Sequence, residues 1–227
     1  MDAVILAGGK GSRLGGVLPP YMKPFMPING VPLVSRVVDQ AALYTDRVFV
    51  IVAPENAMQM AHVLEGRDIF MIVQQHATGP GDALLLALAL TKDDTMLVLM
   101  ADNIIPDDDV ANVCSAGRVS GYAIGTSKVE TAGEAQRYTR IYADGAVVEE
   151  GLKVTPTTRP GESYTVWCGP LVLPVERAIP ALQWALLANG VERKIGANLQ
   201  HIGLTPVLVP CKSVDIGTPA SLMEVQV

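Results

Sequence analysis

Apolar segments alternate with amphipathic segments through the first half of the chain. Between the apolar runs, hydrophobic residues recur at helical spacing in segments that begin at residues 32, 54 and 82. Strands that alternate with helices of about a dozen residues indicate βαβ units and a parallel sheet. The apolar runs that predict buried strands are residues 3–7, 47–53, 68–73 and 95–101.

The second half of the chain follows a different pattern, in which apolar segments are joined by polar loops. Ala143-Asp144-Gly145-Ala146 is a strong hairpin-turn sequence, so this half should add antiparallel strands to the sheet and build a lid. Strands are predicted at residues 119–128, 138–143, 146–149, 164–173 and 207–209, and helices at 175–188 and 192–200. We therefore predict one α/β domain over residues 1–227, with a Rossmann-like, mixed and mainly parallel sheet flanked by helices and an added antiparallel lid.

Composition narrows the class of protein. Hydrophobic residues make up 49% of the chain and charged residues 18%, which favours a folded core over disorder. The formal net charge of −6 argues against nucleic acid or an anionic membrane surface as the main partner. The longest apolar run, residues 83–90, is too short to span a bilayer, and the N-terminal pattern is not that of a signal peptide.

The three cysteines, Cys114, Cys168 and Cys211, are odd in number and widely spaced. They form neither a disulfide framework nor a Cys-x-x-Cys metal pair, so we expect buried free thiols in a reducing compartment. These features together predict a soluble, cytoplasmic protein. Assembly into a homo-oligomer is left open.

A glycine-rich loop follows the first predicted strand, in the segment Val4-Ile5-Leu6-Ala7-Gly8-Gly9-Lys10-Gly11-Ser12-Arg13-Leu14. Glycines there allow backbone N–H groups to approach an anion, and Arg13 and Lys23 add positive charge suited to phosphate. The segment is not a P-loop, because Gly11 stands where Ser or Thr is needed. It is not the dinucleotide fingerprint either, because Leu14 replaces the third glycine.

The same segment resembles the signature of the sugar-phosphate nucleotidyltransferase family, Leu-Ala-(Gly/Ala)-Gly-x-Gly-(Thr/Ser)-Arg-(Leu/Met), followed by a Pro-Lys-Pro element that appears here as Met22-Lys23-Pro24. The resemblance implies an enzyme similar to glucose-1-phosphate thymidylyltransferases and sugar-1-phosphate uridylyltransferases, in a short form. It makes residues 1–118 the nucleotide-binding half and 119–227 the acceptor-binding half. It also implies that Arg13 and Lys23 are catalytic residues that bind the triphosphate. The implied nucleotide-binding residues are Leu6, Gly8, Gly9, Gly11, Ser12, Gln74 and Gly79.

The resemblance further implies that Gln74 and Gly79 contact the nucleobase. An amide can pair with the donor and acceptor edge of a pyrimidine, so uracil or thymine is favoured. Gln75 is an alternative to Gln74, and a solvent-facing glutamine without a ligand is the other interpretation.

Two aspartates are candidates for a metal site. Asp102 directly follows the apolar run 95–101, so it should stand at the carboxyl edge of the sheet, where ligands of open parallel sheets bind. Asp215 lies in Asp215-Ile216-Gly217-Thr218-Pro219, which matches a second motif of the family. The resemblance makes both residues ligands of Mg²⁺, the expected cofactor.

The match to the family is thinner on the acceptor side. Thr139 stands where relatives have a glycine against the sugar ring, and Lys153 matches a lysine that reaches the acceptor phosphate. Trp167 and Gly169 fall near a Thr-Gly element, although Trp167 could equally pack in the core. Arg193 and Lys194 replace an acidic stretch and could bind an acceptor phosphate.

The function predicted from these residues is Mg²⁺-dependent condensation of a nucleoside triphosphate, dTTP or UTP being favoured, with a sugar 1-phosphate. The products would be a nucleotide-sugar and pyrophosphate, formed by direct in-line displacement. One alternative is a CTP-dependent cytidylyltransferase acting on phosphocholine or another small phosphate, with Tyr164, Trp167 and Trp184 as a cation–π cage. The other is a non-catalytic, nucleotide-sugar-binding regulatory protein. Neither nucleic acid nor membrane is expected as a partner.

Overall fold

The described residues form a mixed sheet of nine strands at the centre of the fold. The computed structural model describes residues 1–11, 18–131, 135, 138–142, 147–148, 163–189 and 194–216. In chain order the strands are β1 (Asp2–Leu6), β2 (Pro27–Ile28), β3 (Val31–Pro32), β4 (Val48–Val52), β5 (Phe70–Val73), β6 (Thr95–Met100), β7 (Asn103–Ile104), β8 (Ala123–Val129), β9 (Arg140–Ile141), β10 (Val147–Val148), β11 (Tyr164–Pro174), β12 (Val207–Pro210) and β13 (Val214–Asp215).

The helices lie between these strands. They are α1 (Leu33–Ala42), α2 (Ala57–Val63), α3 (Pro80–Leu88), α4 (Asp107–Ser120), α5 (Val175–Asn189) and α6 (Gly196–Leu199), with 3-10 turns at Lys23–Phe25, Pro54–Asn56 and Gln200–Ile202. None of the described helices combines the length and the apolar character that crossing a bilayer requires.

The sheet order is β10-β9-β11-β6-β1-β4-β5, and β8 joins β11 to β12. Strands β6, β1, β4 and β5 are mutually parallel, whereas β11 is antiparallel to β6, β8 and β9. The predicted mixed, mainly parallel sheet with added antiparallel strands is therefore confirmed. The predicted hairpin turn at 143–146 and much of the predicted lid lie outside the described residues.

The central parallel strands β1, β4 and β6 are buried on both faces, which explains why their sequences are mainly apolar, whereas β5 leaves Phe70 and Met71 exposed. In β1, Ala3 and Ile5 face one core cluster, while Val4 and Leu6 face the other. Helices α1, α2 and α4 cover the first face, and α3, α5 and α6 cover the second. The result is a three-layer architecture in which the carboxyl ends of the parallel strands lie along the same edge of the sheet.

Several predicted bounds were wrong, the largest error being at helix α4. The strand predicted at 119–128 begins only at Ala123, because Val119 and Ser120 still belong to α4. Three aspartates fill the first turn of α4, where they stabilise the positive end of the helix dipole. Gly121 ends it in the left-handed conformation. The helix predicted at 192–200 is limited in the described residues to α6 and the turn that follows it.

Candidate active site

The ammonium group of Lys23 lies between two carboxylates. Its Nζ atom is 2.6 Å from Oδ2 of Asp102 and 3.3 Å from Oδ1 of Asp215. Lys23 is 6% exposed, and lysine is rarely buried to this degree unless it is paired. The three predicted residues thus form one cluster of charges, in which Lys23 is buried and both aspartates are partly exposed.

Three separate segments bring this cluster together. Asp102 lies two residues after the end of β6, at the carboxyl edge of the sheet, as expected. Asp215 ends β13, whose antiparallel pairing with β7 places it opposite Asn103. The backbone N–H of Ile216 also donates to the carbonyl of Asp102, 3.1 Å away, so the two aspartates are held side by side.

The two carboxylates supply oxygen ligands of the kind that a hard divalent cation prefers. They already hold one positive charge, the Lys23 ammonium, between oxygen atoms from both side chains. Among the described residues there is no group of three or more His, Cys, Asp or Glu that could hold a metal alone. An ion held here would therefore need further oxygen ligands, such as those that phosphates and water supply to Mg²⁺.

The glycine loop lies beside Lys23. Gly11 has a left-handed φ of +68°, and a Cβ atom there would be 3.6 Å from Cβ of Lys23. Gly9 is exposed, with open space where a side chain would be. Ser12 and Arg13, which were predicted to contribute to the same anion site, lie outside the described residues.

At the other end of the loop, the predicted nucleobase residues meet. Nε2 of Gln74 donates to the carbonyl of Gly79 at 3.1 Å. A Cβ atom on Gly8 would be 3.3 Å from the backbone nitrogen of Ala53 and 3.7 Å from Oε1 of Gln74, so Gly8 packs closely between the backbone at Ala53 and the Gln74 amide. Leu6, 8% exposed, ends the strand that leads into the loop. Gln75 is exposed, and the contact to Gly79 is made by Gln74.

A cavity of about 260 Å³ opens beside the two aspartates. Of the predicted acceptor residues it is lined by Thr139, Trp167 and Gly169, whereas Lys194 lies elsewhere. Lys153 and Arg193 lie outside the described residues. The full lining is Met100, Asp102, Asn103, Ser127, Lys128, Val129, Tyr138, Thr139, Val166, Trp167, Cys168, Gly169, Ser213 and Asp215.

An irregularity in β11 shapes one wall of the cavity. The register of β11 against β8 shifts between Trp167 and Leu171, and Gly169 has φ of +92°. A Cβ atom on Gly169 would be 2.8 Å from Cδ1 of Ile105, so a larger residue cannot enter without displacement. Nε1 of the Trp167 indole donates to the carbonyl of Gly169 at 3.1 Å, which fixes the ring against this wall.

Sequence reasoning missed several lining residues, of which Lys128 changes the chemistry most. Its side chain is exposed, and it has no ion pair or hydrogen bond with another described residue. The cavity therefore has two carboxylates that share the single positive charge of Lys23 and one cation, Lys128, that is unpaired within the described part of the chain. The local pattern carries no signal for Lys128, because its position depends on the pairing of β8 with β11.

Of the residues proposed for a cation–π cage, Trp167 lines this cavity and Tyr164 does not. The guanidinium of Arg140 lies over the ring of Tyr164, 5.5 Å from its centroid, and Tyr164 does not line the cavity. The side chain of Trp184 is outside the described part of the structure. Trp167 is thus the one aromatic residue of that set that the described chain brings to the cavity wall.

The cysteines are buried free thiols, as predicted. Burial raises the pKa of the Cys168 thiol to about 11 and that of Cys211 to about 12. Cys168 lines the cavity, but a thiol with this pKa stays protonated at neutral pH and is a poor nucleophile. The described residues of the cavity therefore favour direct chemistry between bound ligands over a cysteine intermediate.

Comparison with known proteins agrees with the fold. Residues 3–202 match the family model described as the MobA-like NTP transferase domain. The bifunctional protein GlmU of Methanococcus maripaludis strain C7 is 35% identical over 107 residues, covering 47% of this chain and 26% of that protein. GlmU of Albidiferax ferrireducens is 30% identical over 189 residues, covering 78% of this chain and 39% of that protein.

The chain therefore spans well under half the length of these two relatives. Among solved structures, UDP-glucose pyrophosphorylase complexed with UDP-glucose superposes with a TM-score of 0.76 at 17% identity. The superposition covers 99% of this chain and 96% of that one. At this identity the likeness establishes the fold of the whole chain and leaves its ligands to be argued from the residues.

Proposed function

The chain belongs to the MobA-like NTP transferase domain family, and from that premise we propose that it is a sugar-1-phosphate nucleotidyltransferase that uses UTP or dTTP. Membership confirms the resemblance that the N-terminal signature carries. In the proposed reaction, an oxygen of the acceptor phosphate attacks the α-phosphorus of the triphosphate. The bond from that phosphorus to its bridging oxygen breaks, and pyrophosphate leaves with the electron pair.

The observation that carries this proposal is the contact of Lys23 with Asp102 and Asp215, between the glycine loop and the cavity. The α-phosphate must meet the acceptor where the two binding regions join. Fixed charges at that junction stabilise the charge that develops during the displacement. An ionised phosphate needs no general base, which agrees with the protonated state of Cys168.

Asp102 and Asp215 would hold Mg²⁺, which when bound supplies positive charge against the oxygens of the triphosphate. Lys23 and Arg13 would add fixed positive charge to the same phosphates. The residues of the chain would thus contribute position and charge, and no covalent chemistry of their own.

The choice of base is supported by the Gln74 amide. Its nitrogen donates to Gly79 and its oxygen lies close to Gly8, so the side chain has a fixed orientation before a nucleotide arrives. A fixed amide edge suits the paired donor and acceptor of uracil or thymine.

The residues of the cavity wall support a phosphorylated sugar as the acceptor. Trp167 offers an apolar surface against which the carbon face of a sugar ring can pack, and its indole is already fixed. Lys128, which has no ion pair among the described residues, is suited to an anionic group on the acceptor. A phosphorylated sugar combines an apolar ring face with such a charge.

The experiment that tests the proposal measures pyrophosphate release. Each common nucleoside triphosphate is mixed with a pool of sugar 1-phosphates, once with Mg²⁺ and once with EDTA. We expect release with UTP or dTTP that needs both the metal and the pool. Asp102→Ala should abolish it, and Asp108→Ala, at an exposed position of α4, should leave it intact.

Three results would contradict the proposal. They are release with every base alike, activity in the Asp102→Ala variant near that of the wild type, and no release with any pair of substrates. Phosphocholine is added as a separate acceptor, and activity with it alone would favour the cytidylyltransferase alternative.

A further inference from the structure

We infer that Lys23 occupies the metal position in the nucleotide-free protein, so that the site accepts a divalent ion only when a nucleotide draws the ammonium away. The inference rests on the proposed function, because it assigns Asp102 and Asp215 as the metal ligands. It adds a property that the proposed function does not require, which is that metal and nucleotide binding depend on each other.

The geometry supports a bridging role for Lys23. Its Nζ atom donates a hydrogen bond to one oxygen of each aspartate, at 2.6 Å to Asp102 and at 3.3 Å to Asp215, and so lies between the two side chains. The side chain of Lys23 is 7% exposed, whereas those of Asp102 and Asp215 are 27% and 19% exposed. The buried partner is therefore the lysine, and solvent reaches the site from the side of the carboxylates.

Binding of a divalent ion to the two carboxylates is unfavourable while the Lys23 ammonium occupies the same pair of oxygens. The ammonium satisfies the carboxylates with hydrogen bonds and cancels one of their two charges. A second cation at hydrogen-bond distance would meet repulsion from Lys23 and a smaller net attraction from the aspartates. In the nucleotide-free protein, Lys23 should therefore compete with the metal for the site.

A triphosphate bound in the glycine loop would give the Lys23 ammonium alternative anionic partners. Gly11 lies against the Cβ atom of Lys23, so the lysine begins its course directly beside the loop that is suited to phosphate. A triphosphate in that loop would offer the ammonium new anionic partners within the reach of its flexible side chain. The move would free an oxygen on each aspartate at the moment when phosphate oxygens become available as further ligands.

The test measures Mn²⁺ binding without nucleotide, by titration followed with electron paramagnetic resonance. Lys23→Met removes the ammonium and keeps the length of the side chain, and we expect it to bind Mn²⁺ about tenfold more tightly than the wild type. Arg36→Met removes a cation from an exposed position of α1 and should leave the affinity unchanged. Asp102→Asn in the Lys23→Met background should abolish the gain.

Circular dichroism checks that each variant is folded, and Lys23→Gln is used if Lys23→Met is not. Equal or weaker Mn²⁺ binding by the lysine variant would overturn the inference. So would micromolar Mn²⁺ binding by the nucleotide-free wild type, which needs no variant to measure. If neither protein binds Mn²⁺ at all, the assignment of the aspartates as ligands is wrong and the inference fails with it.

Pyrophosphate release separates this inference from the proposed function. If the wild type releases pyrophosphate with UTP or dTTP but Lys23→Met binds Mn²⁺ no better, the enzyme assignment stands and the competition by Lys23 does not. If metal binding responds to Lys23→Met as expected while no substrate pair reacts, the competition stands and the enzyme assignment does not.

Discussion

Thr139 and Gly196 fit together so closely that a side chain at position 196 is excluded. A Cβ atom on Gly196 would be 1.9 Å from Oγ1 of Thr139 and 2.9 Å from its Cβ atom. Gly196 begins helix α6, and Thr139 both lines the cavity and accepts a hydrogen bond from the backbone of Trp167 at 2.8 Å. The threonine that replaces the expected glycine in the acceptor region is therefore accommodated by a glycine on a different element.

This fit predicts that Gly196→Ala destabilises the protein by about 1–3 kcal/mol, as overpacking of a filled site usually does. Gly196 has no left-handed φ, so the cost is steric rather than conformational. The displacement of Thr139 should also weaken acceptor binding through Trp167. Adding Thr139→Gly to the alanine variant should recover most of the stability in urea unfolding, and failure to recover it would contradict the steric explanation.

The orientation of Gln74 predicts its effect on the choice of nucleotide. Gln74→Leu removes the amide while keeping a side chain of similar size, so kcat/KM for UTP or dTTP should fall about tenfold, the value of one net hydrogen bond to the base. Gln75→Leu is the matched control, because Gln75 is exposed next to it and lacks the contact to Gly79. The assay is steady-state pyrophosphate release with each triphosphate varied. Equal losses in the two variants would contradict the assignment.

Lys128, the cation without a partner among the described residues of the cavity, is predicted to affect the KM of the acceptor only. Lys128→Gln should raise the acceptor KM about tenfold, the effect of one lost charge-assisted hydrogen bond, and leave the KM of the triphosphate unchanged. Lys92→Gln, at an exposed position before β6, removes the same charge away from the cavity. A rise in the triphosphate KM with Lys128→Gln would show instead that this residue serves the nucleotide.

The sheet could be predicted from the sequence because its central strands are buried on both faces. Strands β1, β4 and β6 are mainly apolar for that reason, and their parallel arrangement follows from the alternation with helices. Helix α4 escaped prediction because it packs through a small residue. A Cβ atom on Gly117 would be 2.4 Å from Val172 of β11, so the close contact removes the large apolar residue that would mark a helical stripe.

The site divides in the same way between local and long-range information. Asp102 and Asp215 could be chosen individually, since Asp102 follows an apolar run and Asp215 begins a motif of the family. Both aspartates contact Lys23, which lies 79 residues from Asp102 and 192 residues from Asp215 in the sequence. No local sequence pattern describes contacts over such separations. The fit of Thr139 to Gly196 likewise depends on the folded arrangement of β9 and α6 rather than on either segment alone.

A last prediction concerns stability at low pH and the buried carboxylate of Asp2, at the start of β1. Its side chain is 1% exposed and accepts hydrogen bonds from Arg47, at 2.5 and 3.1 Å, and from Thr91, at 2.6 Å. Burial alone would raise the pKa of Asp2, but the hydrogen bonds from Arg47 and Thr91 outweigh it and lower the pKa. The folded state therefore favours the ionised form.

Because the folded pKa of Asp2 lies below the unfolded value of about 3.9, its contribution to stability is complete above that value and is lost as pH falls through the folded pKa. Asp2→Asn should lower the free energy of unfolding at pH 7 by about 1–3 kcal/mol, since Arg47 loses its charged partner while remaining partly hydrated. The difference from the wild type in urea unfolding should shrink below about pH 4. Asp68→Asn, at an exposed position outside the helices and strands, should show neither effect, and a difference for Asp2→Asn that stayed constant down to pH 2 would contradict the lowered pKa.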